Sequence, residues 1–251
     1  MFKIKRCTFG KGKPVICIST TSSSEEAILK EVKSYIEDGA QMIEFRCYYF
    51  EGINDIKEIE ALLEKMAPYV DKSILLFTIR TKNQGGCAEL APDYIDELTM
   101  LAAKNKAVDM VDIEYYETKD ATSKIRALRN EGVKVIASHH DFNKTPDDKT
   151  IDKMLREINS GGADIVKLAL MPCNMHDVLR LSDCAIRFKE EYKDQPIAII
   201  SMGKFGMILR ICAEAISSCL TFAAGKSASA PGQIDYEELK QMVELINKNI
   251  N

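Results

Sequence analysis

The chain has 251 residues, 46% hydrophobic and 29% charged, enough material for one sizeable core or two small ones. Its net charge of -4 gives no electrostatic reason to expect nucleic acid or an anionic membrane as a partner. The opening MFKIKRCTFGKGK lacks the continuous apolar core of a signal peptide, and no run approaches the roughly eighteen apolar residues of a membrane span, so a soluble cytoplasmic protein is expected.

In chain order, the residues before Val15 read as an N-terminal extension forming a β-hairpin around Gly10 to Lys13. Then come eight short β-rich runs at intervals of about thirty residues: VICIS at 15, MIEFR at 42, ILLFTIR at 74, MVDIEY at 110, KVIASHH at 134, IVKLAL at 165, IAIISM at 197 and CLTFAA at 219. Helical periodicity fills the gaps. In SEEAILKEVKSYIEDGA, Ile28, Leu29, Val32 and Ile36 share one face and Gly39 supplies a stop. Strict alternation of strand and helix predicts a parallel sheet, and eight units in about 250 residues fit a closed (β/α)8 TIM barrel, one domain over residues 1–251 with the hairpin over its floor. An open doubly wound sheet is the alternative, but no G-x-G-x-x-G follows the first strand and no Pro/Ser/Gly-rich linker divides the chain.

In such a barrel the chemistry lies at the C-terminal ends of the strands. There the second strand offers Glu44 and Arg46, the third Thr78 and Arg80, the fourth Asp112 and Glu114, the fifth Ser138 and His140, and the sixth Lys167. Members of each pair are two apart and leave one face, while Ile43, Phe45, Ile79, Ile113 and Ala137 take the other. Five successive strands with charged or polar inward faces predict a polar cavity, because charges are buried only when paired or used. Each residue also has a plainer reading: Glu44 with Arg46 as a structural ion pair, Lys167 paired with Asp112 or Glu114, His140 as a satisfied core histidine. Their convergence favours chemistry. A lysine desolvated between Val166 and Leu168, near other cations, is pushed toward the neutral amine, the form that attacks ketones to give a Schiff base. A histidine on the adjacent strand moves protons near neutral pH. A metal site is disfavoured, since His139 and His140 diverge on a strand and His176 falls on a helix. The eight cysteines include no C-x-x-C pair and read as reduced thiols.

These residues also carry a resemblance. IEFR, LLFTIRT followed by GG, DIE, SHHDF, DIVKLALMP, SMGKFG with Arg210, and SASAPGQ occur in the order found in type I 3-dehydroquinate dehydratases, over nearly the whole chain. The resemblance implies a (β/α)8 homodimer without metal or cofactor. It implies a shikimate-pathway lyase that converts 3-dehydroquinate to 3-dehydroshikimate through a lysine imine. By resemblance Lys167 is the Schiff-base lysine, His140 the general acid/base and Arg210 the carboxylate clamp. Glu44, Arg46 and Arg80 would hold ring hydroxyls and organise the pocket, Ser19 would bind substrate, Ser229 and Gln233 would come from a closing loop, and Met202 and Phe222 would supply apolar walls.

The chain departs from that pattern twice: Gln84 stands where the family usually has a glutamate that orients the histidine, and Tyr48 where an aspartate is common. An amide oxygen accepts a hydrogen bond but cannot stabilise imidazolium by charge. Two rival readings remain, another Schiff-base aldolase or lyase on the same barrel, and a binding barrel whose catalysis is impaired at Gln84. Turnover of dehydroquinate separates the dehydratase from both.

Overall fold

A computed structural model describes residues 1–250. A two-stranded antiparallel hairpin, β1 (Phe2–Ile4) and β2 (Cys7–Phe9), precedes eight parallel strands: β3 (Val15–Ser19), β4 (Met42–Arg46), β5 (Ile74–Thr78), β6 (Met110–Glu114), β7 (Lys134–Asp141), β8 (Ile165–Leu170), β9 (Ile197–Ser201) and β10 (Leu220–Ala223). The alternating helices are α1 (Glu25–Glu37), α2 (Ile56–Val70), α3 (Pro92–Lys104), α4 (Ala121–Asn130), α5 (Asp148–Ser160), α6 (Met175–Glu191), α7 (Gly203–Ile211) and α8 (Tyr236–Ile250). Hydrogen bonding runs from β10 to β3 and then in chain order to β9. The ring closes just before β10, where the Cys219 N–H donates to Ile197 O at 2.8 Å and the Ile199 N–H donates to Ser218 Oγ at 2.9 Å. This is the expected (β/α)8 barrel.

Local signals set the helix ends. Ser24, Asp147 and Asn174 cap α1, α5 and α6 by accepting the backbone N–H three residues on. In α1, Ile28 and Val32 are fully buried, with Leu29 and Ile36 partly covered against the same core. The helix before the last strand is short: α7 stops at Ile211, and a 3₁₀ turn over Ala213–Ile216 ends at Ser217 with φ 58°.

The alternating strand faces separate two cores. Ile43, Phe45, Phe77, Ile79, Ile113 and Ala137 face the helices, while Cys17, Met42, Leu76, Met110, Ile136 and Ile165 fill the lower barrel. The hairpin plugs that floor with Phe9, which is fully buried and stacks on Phe2 at 5.0 Å. Burying one such ring stabilises by about 1.5–3 kcal/mol. The hairpin turn is not at Gly10 to Lys13 as the glycines suggested. It lies at Lys5 and Arg6, because Lys5, at φ 49°, sends its ammonium into the barrel base, to Val70 O at 2.9 Å, Ser73 O at 2.7 Å and Asp109 Oδ2 at 2.7 Å. Tertiary anchoring outweighs the local turn preference; Gly10 and Gly12 instead serve the link into β3.

Candidate active site

Above the apolar floor the inward faces turn polar. Lys167, buried at the middle of β8, donates from Nζ to Asp112 Oδ2 on β6 at 2.9 Å, and its ammonium sits 4.6 Å from the centre of the Phe222 ring. The second Asp112 oxygen accepts from Arg80 at 3.0 Å and from Ser138 Oγ at 2.6 Å. Burial alone pushes the Asp112 carboxyl up, but the Arg80 guanidinium and the Lys167 ammonium outweigh it and hold the group below its usual range. Arg80 lies just past the end of β5 and also reaches Glu114 Oε1 at 3.2 Å. Burial raises the Glu114 carboxyl, and neither Arg80 nor the bonds it accepts from the Thr81 N–H and hydroxyl fully offset that rise. The paired reading of Lys167 is therefore the observed one, with Asp112 as partner. Glu44 takes a different course from the ion pair with Arg46: it accepts from Ser19 Oγ at 2.5 Å and Thr78 Oγ1 at 2.9 Å.

His140, at the end of β7, is fixed by Gln84 from the 3₁₀ turn Lys82–Gln84. The carboxamide oxygen of Gln84 accepts the His140 backbone N–H at 2.8 Å and lies 3.2 Å from His140 Nδ1. Burial, then the nearby Arg80 and Lys167 charges, push the His140 pKa well below its ordinary value, so the ring is a neutral base. His139 points away and meets Tyr116 edge-on at 5.3 Å, and His176 is exposed on α6.

At the mouth, Arg46 donates from Nε to the Tyr48 hydroxyl and from NH1 to Ser229 O at 2.8 Å. Arg210, 1% exposed, donates to Phe222 O at 3.2 Å and Pro231 O at 3.1 Å, and its Nε has no partner. Burial lowers its pKa to about 10. Neither guanidinium has an acidic partner among the described residues. The loop after β10 folds over the opening, with the Gln233 amide oxygen accepting the Ser229 N–H at 2.7 Å. Gly232, at φ +77°, packs so closely on Gly203 that a Cβ there would lie 2.3 Å from Gly203 O. One pocket, enclosing about 500 Å³ with its open mouth, is lined by Lys167, His140, Gln84, Ser19, Glu44 and Arg46. Arg80, Met202, Arg210, Phe222, Ser229 and Gln233 line the same pocket. The structure thus brings all twelve candidate residues together.

The pocket thus holds a buried lysine, a histidine pushed toward its neutral form and two guanidinium groups lacking anions. Residues 16–250 match the type I 3-dehydroquinase family. The chain belongs to that family. It is 36% identical over 250 residues to the 3-dehydroquinate dehydratase of Clostridioides difficile, covering 99% of this chain and 98% of that one. The enzyme of the same name from Listeria monocytogenes is 35% identical over 246 residues, 98% of this chain and 97% of its relative. A type I dehydratase from Clostridium difficile with covalently modified comenic acid superposes with a TM-score of 0.94, covering 99% and 98% of the two chains at 36% identity. The 3-dehydroquinate dehydratase of Geobacillus kaustophilus gives 0.95 at 26% identity, over 100% and 97%.

Within this type I dehydroquinase pocket, four lining residues were missed: Tyr48, Ala169, Ile200 and Ala230. Ala169 and Ile200 lie two residues from Lys167 and Met202, so strand parity alone could have found them. Tyr48 enters from the 3₁₀ turn Cys47–Tyr49, where strand period no longer applies.

Proposed function

We propose that this chain dehydrates 3-dehydroquinate to 3-dehydroshikimate through an imine on Lys167. The observation that carries the reading is that Lys167 and His140 open onto one pocket with Arg210, a buried cation lacking an anion. In and directly behind the pocket, four cationic side chains (Arg46, Arg80, Lys167, Arg210) stand against three anionic ones (Glu44, Asp112, Glu114), a local surplus of one positive charge that suits a monocarboxylate. Arg210 would hold that carboxylate by its planar fork, and Arg46 and Glu44 would bind ring hydroxyls.

In this reading the Lys167 amine adds to the ring ketone and water leaves, giving a protonated imine whose charge Asp112 balances. His140 takes the proton from the carbon beside the former ketone, and the released electron pair enters the iminium to form an enamine. The pair then returns, breaks the bond to the ring hydroxyl, and His140 passes its proton to the departing oxygen. Hydrolysis frees Lys167. Arg80 holds Asp112, Ser138 and Glu114 in place, Met202 and Phe222 form apolar walls, and Ser19, Ser229 and Gln233 bind or close over the substrate.

The protein would act as a homodimer in the cytoplasm. Apolar Met175, Leu179 and Ile186 on α6 and Met207 and Ile208 on the adjacent α7 are exposed, which supports a self-association face, and all eight thiols are free, as a reducing compartment favours. The test is turnover of dehydroquinate read as new enone absorbance, with borohydride added. A reduced adduct on the Lys167 peptide is expected. An active preparation that gives no adduct overturns the imine, and an inactive one overturns the dehydratase reading.

A further inference from the structure

Tyr48 occupies the pocket wall in an unusual bonding state. The residue is 3% exposed, its hydroxyl accepts from Arg46 Nε, and its own O–H proton is donated to no acceptor among the described residues. Glu44, the carboxylate with an influence on this phenol, already accepts from Ser19 and Thr78. Buried donors are nearly always satisfied, so a pocket-lining phenol with an idle proton calls for an acceptor supplied by the occupant. Burial raises the Tyr48 pKa, against the lowering effect of Arg46, so the hydroxyl keeps its proton throughout the working pH range.

The surroundings hold the ring in place. The 3₁₀ turn directs Cys47 to the outer core and Tyr48 to the pocket; Tyr49 packs on Tyr48 with ring centres 4.8 Å apart, and the Arg46 guanidinium lies 4.8 Å from each ring centre. The Tyr48 carbonyl accepts from Cys87 Sγ at 3.2 Å, tying the turn to the loop after β5. A phenol acceptor orients Arg46 without neutralising it, as an ionised carboxylate would. The guanidinium therefore keeps its full charge for the ligand.

We propose that Tyr48 is a specificity-determining residue that donates its hydroxyl proton to a hydroxyl oxygen of the substrate, beside the group bound by Arg46. This rests on the dehydratase reading. A ligand with no oxygen there leaves a buried donor unpaired, and is rejected for that reason.

The test compares wild type with Tyr48→Phe, Arg46→Ala and the double variant, all assayed with dehydroquinate. Tyr48→Phe should raise KM about five- to tenfold, leave kcat within about twofold and melt at the wild-type temperature, since the aromatic packing is kept. In the Arg46→Ala background the same change should still raise KM at least threefold. A Tyr48→Phe KM equal to wild type overturns the proposal, as does a KM effect that vanishes without Arg46, because the phenol would then act only through the guanidinium. Absence of turnover in the wild type refutes the dehydratase reading instead; the donor assignment is then decided by calorimetric binding of dehydroquinate to the same four proteins, with equal affinity for wild type and Tyr48→Phe overturning it.

Discussion

The backbone N–H of His140 and its ring Nδ1 meet the same Gln84 oxygen, at 2.8 and 3.2 Å. A backbone N–H only donates, so the atom it meets is the carboxamide oxygen, and the neutral ring must then carry its proton on Nδ1. Nε2 is left as the basic nitrogen. One backbone bond thereby selects the tautomer.

Replacing that amide by a carboxylate changes the charge and keeps the shape. In Gln84→Glu the His140 pKa, now well below its ordinary value, should rise by about one unit, near 1.4 kcal/mol, and the acidic limb of kcat/KM should move up with it. Turnover should also increase, because an anion supports the imidazolium that forms when the base takes a proton. Paired pH-rate profiles and an NMR titration of His140 read both. The same depressed pKa bears on stability: between the folded value and the ordinary 6.5 the unfolded chain binds more protons, so stability falls as pH drops through that window, and the fall should be smaller in Gln84→Glu.

Asp112→Asn should cost about 3 kcal/mol, since it leaves the buried Lys167 with no anion and Arg80 with Glu114 alone. The native carboxyl titrates below its ordinary value of 3.8, so its stabilisation is present above that pH and is lost as pH falls through the folded value. Urea unfolding should therefore separate the two proteins at pH 7 and bring them together in acid.

Arg210→Ala should weaken productive binding by about 2–4 kcal/mol, and Arg210→Lys should recover only part, because a point charge lacks the fork. Steady-state kinetics on the three proteins decide this; unchanged KM and kcat in the alanine variant would mean that the carboxylate is held elsewhere.

Gly232→Ala should lift the closing loop. Its φ of +77° and the 2.3 Å approach of a Cβ to a backbone oxygen combine strain with a clash that no rotamer relieves. A fall in kcat/KM of about tenfold or more, with the melting temperature lowered by only a few degrees, is the expected result, since the barrel strands are untouched.

Leu179→Asp combined with Ile208→Asp places two charges on the exposed α6 and α7 face. Sedimentation should shift from dimer to monomer. A wild-type protein that sediments as a monomer at micromolar concentration removes the dimer reading.

Much of this architecture was legible because its signals are periodic. Period two placed Glu44, Asp112, Ser138 and Lys167 inside the barrel, and period 3.6 marked the helices around them. What periodicity cannot carry is a side chain's choice among several inward partners. Asp112 takes Lys167, while Glu114 is bound by Thr81 and Arg80 instead. Contacts across the fold were also hidden: the Lys5 ammonium decides the hairpin turn from 104 residues before Asp109, and Tyr48 acquires its place from a turn that comes after the strand.

The plugged floor has a consequence for the traffic of matter through the barrel. With Phe9 sealing the base, substrate and solvent exchange through the mouth beneath the loop bearing Ser229 and Gln233. In the imine route, one water is released when the adduct forms, a second when the ring hydroxyl departs, and one is consumed to free the product. A chamber with a single door can retain the first water for the last step. Each cycle then exports one product and one water, and a single opening of the loop suffices for both.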